Sequence, residues 1–144
     1  VVSLSSPLLV GVYHNGQCIR EIQSTDKSSE ALPRIMEELL TAFTCKGLYF
    51  ARGPGSFMAI KVTYLFLKTL ELALNIPLKA CDGFVFNGNG PIKAVGKLFF
   101  VKENGKITTR VLECDHGSAF VLPQLLPEDA FSYETQPLYH LPAL

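Results

Sequence analysis

A six-residue turn, Arg52-Gly53-Pro54-Gly55-Ser56-Phe57, joins a short apolar run at 47–51 to a long one at 57–74, and this junction constrains the fold more than any other stretch. The first run has the length of a strand and the second that of a helix, with another strand-like run at 77–81 behind it. Strand, tight glycine turn and helix start together form the geometry in which backbone N–H groups converge on an anion or on a neighbouring chain end. Gly53 and Gly55 permit positive φ or close backbone approach, Pro54 stiffens the turn, and Ser56 is placed to cap the helix. The spacing fits neither the phosphate loop ending in Gly-Lys-Ser/Thr nor the dinucleotide Gly-x-Gly-x-x-Gly. The residues alone leave two readings: a structural strand-to-helix turn, or a contact for a ligand or partner.

Upstream, residues 1–4 read as a short strand ahead of a Ser5-Ser6-Pro7 turn. Strands at 8–13 and 17–23 flank His14-Asn15-Gly16, and Asn-Gly is a strong hairpin signal. After a polar break at 24–29, Leu32, Ile35, Met36, Leu39, Leu40 and Phe43 recur at the spacing of an amphipathic helix. Pro33 belongs in a first turn, so the regular helix is expected to start close to it, with Ser29 and Glu30 at its cap. Lys46-Gly47 ends it. The order over residues 1–80 is then β-β-β-α-β-α-β, three antiparallel strands followed by crossovers, which makes a mixed sheet flanked by helices. Residues 81–144 have another texture and read as a reduced second lobe. Gly83, Gly88, Gly90 and Pro91 mark a connector, arms at 92–102 and 106–114 form a hairpin over Glu103-Asn104-Gly105, and 123–131 holds a helical turn.

At 144 residues the chain is one ordinary domain, and 48% hydrophobic against 18% charged residues is apolar for such a chain. That surplus must be hidden in a core or against a partner. Thirteen basic and thirteen acidic residues leave no electrostatic footprint for gripping a phosphate backbone directly. Cys18, Cys45, Cys81 and Cys114 are far apart with no Cys-x-x-Cys pair, so reduced thiols in a cytoplasmic protein are expected. No secretory leader and no membrane span is expected, since Lys61, Thr63, Lys68 and Glu71 interrupt the longest apolar run. His14, His116 and His140 lack metal-ligand spacing, and Asp82 and Asp115 are isolated acids in turns. Phe57 breaks the Gly-x-Ser-x-Gly pattern around Ser56, which argues against a nucleophile. The helix at 57–74 is apolar around most of its circumference, whereas covering one sheet face needs only a band of about 100°. The excess points to a protein–protein contact.

Gly53-Pro54-Gly55-Ser56-Phe57 followed by a helix and then Ile76-Pro77-Leu78 resembles the TsaB family of threonylcarbamoyladenosine biosynthesis proteins (older name YeaZ). Ser29-Glu30 with Leu32-Pro33 looks like the family's His-Ser-Glu-x-Leu-Leu-Pro, with Ser28 in place of the histidine. Pro137-Leu138-Tyr139 looks like its C-terminal Pro-Val-Tyr-Leu. The likeness is strong over 1–80 and thin beyond. It implies a ribonuclease-H-like lobe of the actin/Hsp70 (ASKHA) type with a mixed β-sheet and flanking helices. It further implies a non-catalytic scaffold subunit of the tRNA-modifying complex, which binds a TsaD-type catalytic partner and a TsaE-type ATPase and meets tRNA only indirectly. On this reading Arg52, Gly53, Pro54, Gly55, Ser56 and Phe57 contact the partner or a shared ATP or ADP at the interface. Leu32, Ile35, Met36, Leu39, Ile60, Lys61, Tyr64, Leu65 and Lys68 lie on the two helices that meet TsaD or a second copy of the chain. No catalytic or metal-binding residue is implied: the family's Asp-Thr-Ser on the first strand is Leu4-Ser5-Ser6 here, and leucine offers no oxygen to a cation. The family's Thr-Gly-Leu-Arg-Ile-Gly is Met58-Ala59-Ile60-Lys61-Val62-Thr63, with both glycines enlarged. The competing readings are a weak ATPase or glycoprotease-like hydrolase, and a homodimeric structural protein.

Overall fold

The structure, a computed structural model, describes residues 1–113 and 119–139. The Asn15-Gly16 hairpin forms as expected. β1 (Leu8–His14) and β2 (Gln17–Ser24) run antiparallel, Leu8 opposite Ser24 and His14 opposite Gln17, with the register shifting between Val12 and Tyr13. β3 (Leu48–Ala51) and β4 (Leu78–Cys81) pair in parallel. Between them α2 (Phe57–Leu74) makes the crossover, and α1 (Ser28–Ala42) links β2 to β3.

The strand expected at 1–4 is reduced to one bridge, Val2 to Leu9. Its backbone nevertheless ties the two pairs together. Val2 and Leu9 exchange N–H···O bonds of 2.8 and 2.9 Å, Val1 N donates to Tyr49 O at 2.8 Å, and Ala51 N donates to Val1 O at 3.0 Å. Beyond Val2 the chain leaves this layer, because Leu4 O takes the N–H of Ser56 at 2.8 Å and the Leu4 side chain turns into the core.

Side chains alternate between the two faces of a strand, and each face carries its own core. On one, Ala31, Leu32, Ile35, Met36 and Leu39 of α1 and Leu67 of α2 meet Leu8, Val10, Leu48, Phe50, Leu78 and Ala80. On the other, Val2, Leu4, Leu9, Ala51 and Cys81 pack with Phe86, Leu122 and Phe131.

Three local expectations are corrected. α1 begins at Ser28, well before Pro33, with Lys27 at the cap position and no side-chain capping bond, so Ser29 and Glu30 are first-turn residues and not caps. The missing N–H of Pro33 removes one helical bond to Ser29 C=O, and Ser29 is exposed, so water can take it. The arm expected at 92–102 splits into β5 (Ile92–Val95) and β6 (Leu98–Glu103). With β7 (Lys106–Val111) they make a three-stranded antiparallel sheet over Phe84, Ile92 and Phe100. The helical turn expected within 123–131 is a 3-10 turn at Glu128–Ala130. Cys114, Asp115, His116 and His140 lie outside the described residues.

The last described segment straps the molecule. Cys18 N donates to Gln124 O and Leu126 N to Gly16 O, both at 2.8 Å; Ala80 and Ser132 exchange two bonds of 2.9 Å; Leu138 N donates to Arg52 O at 2.8 Å. Among the described residues, no helix is long and apolar enough to cross a membrane.

Candidate functional site

The glycine turn is occupied from both sides by its own chain. Arg52 N donates to Cys81 O at 2.9 Å, and its guanidinium donates to Gln136 O at 2.8 Å and pairs with Glu134 at 3.7 Å. Gly53 has φ +132°, a conformation that disfavours side chains, and a Cβ there would lie 2.6 Å from Leu138 O. At Gly55 a Cβ would lie 2.6 Å from Leu4 O and 2.8 Å from Leu4 Cβ. Pro54 is buried, and Phe57 stacks on Tyr139 with ring centroids 4.6 Å apart. The turn packs against its own chain, with 134–139 on one side and Leu4 on the other. Ser56 occupies the cap position of α2, yet its exposed hydroxyl makes no capping bond.

Leu4, in the Leu4-Ser5-Ser6 stretch, turns its side chain inward. It is 1% exposed and sits between two glycines, since a Cβ on Gly83 would collide with its Cδ1. Nearby, Asp82 caps the turn at Gly83–Phe86 by accepting Phe84 N–H at 3.0 Å and pairs with Lys102 at 2.5 Å, which ties β4 to β6. Burial first, then the Asp82 charge, push the Cys81 thiol up to about 12, so it is an inert core group. A contact that sequence reasoning missed is the buried 2.6 Å hydrogen bond between the hydroxyls of Ser3 and Thr63. Ser3 supplies the partner that makes the burial of Thr63 tolerable.

On α2, Ile60, Thr63 and Leu67 face the core, with Leu70 half-buried beside them. Facing outward are Met58, Leu65 and Leu72, which are 64%, 54% and 77% exposed and recur every seven residues. Half-buried Val62 and exposed Thr69 fall between them, completing the 4-3-4-3 spacing of a coiled-coil seam. Lys61 is exposed beside the seam, Tyr64 is half-buried, and Lys68 pairs with Glu71 at 2.9 Å. Five of the residues expected at a partner face are instead core: Leu32, Ile35, Met36 and Leu39 of α1, and Ile60 of α2. Periodicity had identified their apolar face correctly, but the chain's own sheet covers it.

The arrangement is a mixed α/β chain with two helices packed on paired strands. No family model and no curated protein sequence matches it. Its fold is similar to that of YeaZ from Pseudomonas aeruginosa, with a TM-score of 0.62 at 16% identity over 77% of this chain and 64% of that one. It is also similar to a crystal structure described as an uncharacterized protein with similarity to peptidase YEAZ from Pseudomonas aeruginosa, with a TM-score of 0.59 at 17% identity over 77% and 63%. The chain therefore spans somewhat less than two thirds of the proteins it matches.

Proposed function

We propose that this chain is a non-catalytic scaffold subunit of the machinery that attaches a threonylcarbamoyl group to the adenosine beside the tRNA anticodon. Its lobe is of the actin/Hsp70 type, it acts in the cytoplasm, and α2 docks it on a TsaD-type catalytic partner. The observation that carries this reading is the outward seam of Met58, Leu65 and Leu72. Full burial of each such side chain contributes about 1.5–3 kcal/mol, enough together for a specific contact once the costs of association are met. The glycine-turn motif and the YeaZ-like fold support the choice of pathway. Leu4, packed between Gly55 and Gly83, argues against an ATPase of this chain's own, so any ATP or ADP belongs at the interface with the partner. A TsaE-type ATPase joins that assembly, and tRNA is met through the partner.

The seam is also suited to pairing with a second copy, which is the state proposed for the isolated chain. Titrating a TsaD-type protein into the purified chain, followed by size-exclusion chromatography and calorimetry, tests the reading. The expected result is a mixed complex that replaces the homodimer and is lost in Leu65→Arg. Failure to form any complex, or ATP hydrolysis by the lone chain above background, would overturn it.

A further inference from the structure

The chain's zero net charge conceals a segregation. Five of its thirteen basic residues and one of its thirteen acidic residues lie between Ile92 and Val111, so the β5–β7 sheet is +4 and the remainder of the chain −4. Register sorts these charges by face. Phe100, opposite Ile92 and Thr109, packs inward with Phe84 and Ile92. Successive residues of a strand point to opposite faces, so Phe99, Val101 and Glu103 take the outer side. Opposite Phe99 are Lys93 on β5 and Arg110 on β7, and opposite Glu103 is Lys106. Lys93, Lys106 and Arg110 are all exposed, and Thr108, opposite Val101, adds an exposed hydroxyl. The carboxylates beside them hold loosely. Arg110 pairs with Glu103 at 2.7 Å, with more than half of each side chain exposed, and a pair so open to water is weak and screened by salt. Among the described residues Lys93 and Lys106 make no ion pair, whereas Lys102, on the inner face, is tied to Asp82. The outer face therefore offers charge and little else. Phe99 is 2% exposed, which leaves no aromatic ring for a base to stack on, and Val101 is half-buried, which leaves no large apolar side chain to enter a bilayer.

We propose that the outer face of the β5–β7 sheet is a contact for the phosphate backbone of RNA. The inference rests on the tRNA-modification reading: with tRNA held by the catalytic partner, Lys93, Lys106 and Arg110 meet its backbone as a second contact. Lys93 and Arg110 stand two strands apart, about 10 Å, and Lys106 lies four residues along β7 from Arg110, about 14 Å. Three cations so spaced each take a separate phosphate. Such contacts position a nucleic acid without reading its sequence. The net negative charge on the rest of the chain repels the same backbone elsewhere, which orients the RNA onto this sheet and keeps the grip of the lone chain weak.

The test is fluorescence anisotropy of labelled tRNA titrated with the chain alone, over salt concentrations rising from about 20 mM. The expected result is binding at low salt whose log affinity falls against log salt with a slope of about −2 to −3, as for about three phosphates. Lys93→Gln/Lys106→Gln should flatten that slope by about 1.5 and weaken binding at low salt at least about tenfold. Lys27→Gln/Lys46→Gln makes the same change of charge away from the sheet and should weaken it far less. No binding at low salt, equal loss in the two double variants, or anionic phosphatidylserine vesicles bound as tightly as tRNA would overturn the proposal. Complex formation with the catalytic partner needs no RNA, so the two readings fail separately. A chain that joins the partner and leaves tRNA unbound overturns this inference alone, and one that binds tRNA through Lys93 and Lys106 but joins no partner overturns the scaffold reading alone.

Discussion

Gly55→Ala separates a turn built for close approach of its own chain from one kept open for a ligand. Gly55 does not have a positive φ, so an alanine there meets no backbone strain, and its cost arises from packing alone. The new Cβ would lie 2.6 Å from Leu4 O, 2.8 Å from Leu4 Cβ and 3.0 Å from Leu4 Cα. These are backbone and near-backbone atoms that no rotamer change can remove, so Leu4 must retreat by roughly 0.8–1 Å to regain van der Waals separation. Overpacking of this kind costs about 1–3 kcal/mol. The 2.8 Å bond from Ser56 N to Leu4 O stretches with it, which adds roughly 0.5–1.5 kcal/mol. A combined loss of about 1.5–4.5 kcal/mol lowers the melting temperature by roughly 5–15 °C for a chain of this length. Circular dichroism melts and urea titration read both quantities. Ser56→Ala is the internal control: its hydroxyl makes no capping bond, so the change should stay within about 0.5 kcal/mol. A Gly55→Ala variant melting within experimental error of the parent would refute the close-approach account and reopen the turn as a ligand site.

On α2, Leu67→Ala should cost about 2–5 kcal/mol because the side chain is fully buried, while Leu72→Ala, exposed in the single chain, should stay within about 0.5 kcal/mol at protein concentrations low enough to keep the chain monomeric; urea titration compares them. Thr63→Val leaves the buried Ser3 hydroxyl without its partner and should cost about 1–3 kcal/mol, part of which the Ser3→Ala/Thr63→Val double variant recovers in a double-mutant cycle. Cys81 should resist iodoacetamide at pH 8 until denaturant is added. Its folded-state pKa is raised from 9.0 to about 12, so its contribution to stability is full below about pH 9 and is lost as the pH rises towards 12. The urea midpoint should fall over that window, and less steeply in Cys81→Ala.

The elements that could be read from the residues were those whose cause is local. Asn15-Gly16 marks the hairpin, the run at 48–51 is bounded by glycines, and the apolar run at 57–74 can only be a long helix. Pro33 misled the start of α1, because an exposed Ser29 carbonyl tolerates the lost bond and the helix extends back to Ser28. Gly96-Lys97 breaks an apolar stretch into two strands, which hydrophobicity alone does not reveal. At the candidate site, the sequence marked the turn but not its occupants, Leu4 and Leu138, which are remote along the chain. The division of α2 was legible as two sets, Val62, Leu65 and Leu72 against Ile60, Leu67, Leu70 and Leu74. Only packing says which faces inward, and Leu74 at the helix end is exposed after all. α1 shows the limit most plainly, since a 3.6-residue period identifies an apolar face without saying whether sheet or partner covers it.

The most direct test of the scaffold reading is the amount of threonylcarbamoyladenosine formed on tRNA by a TsaD-type protein, its TsaE-type ATPase and the threonylcarbamoyl donor, with and without this chain. The account predicts modification that depends on the chain and falls to the chain-free level with Leu65→Arg. Equal modification with and without the chain, or full activity retained by Leu65→Arg, would contradict it.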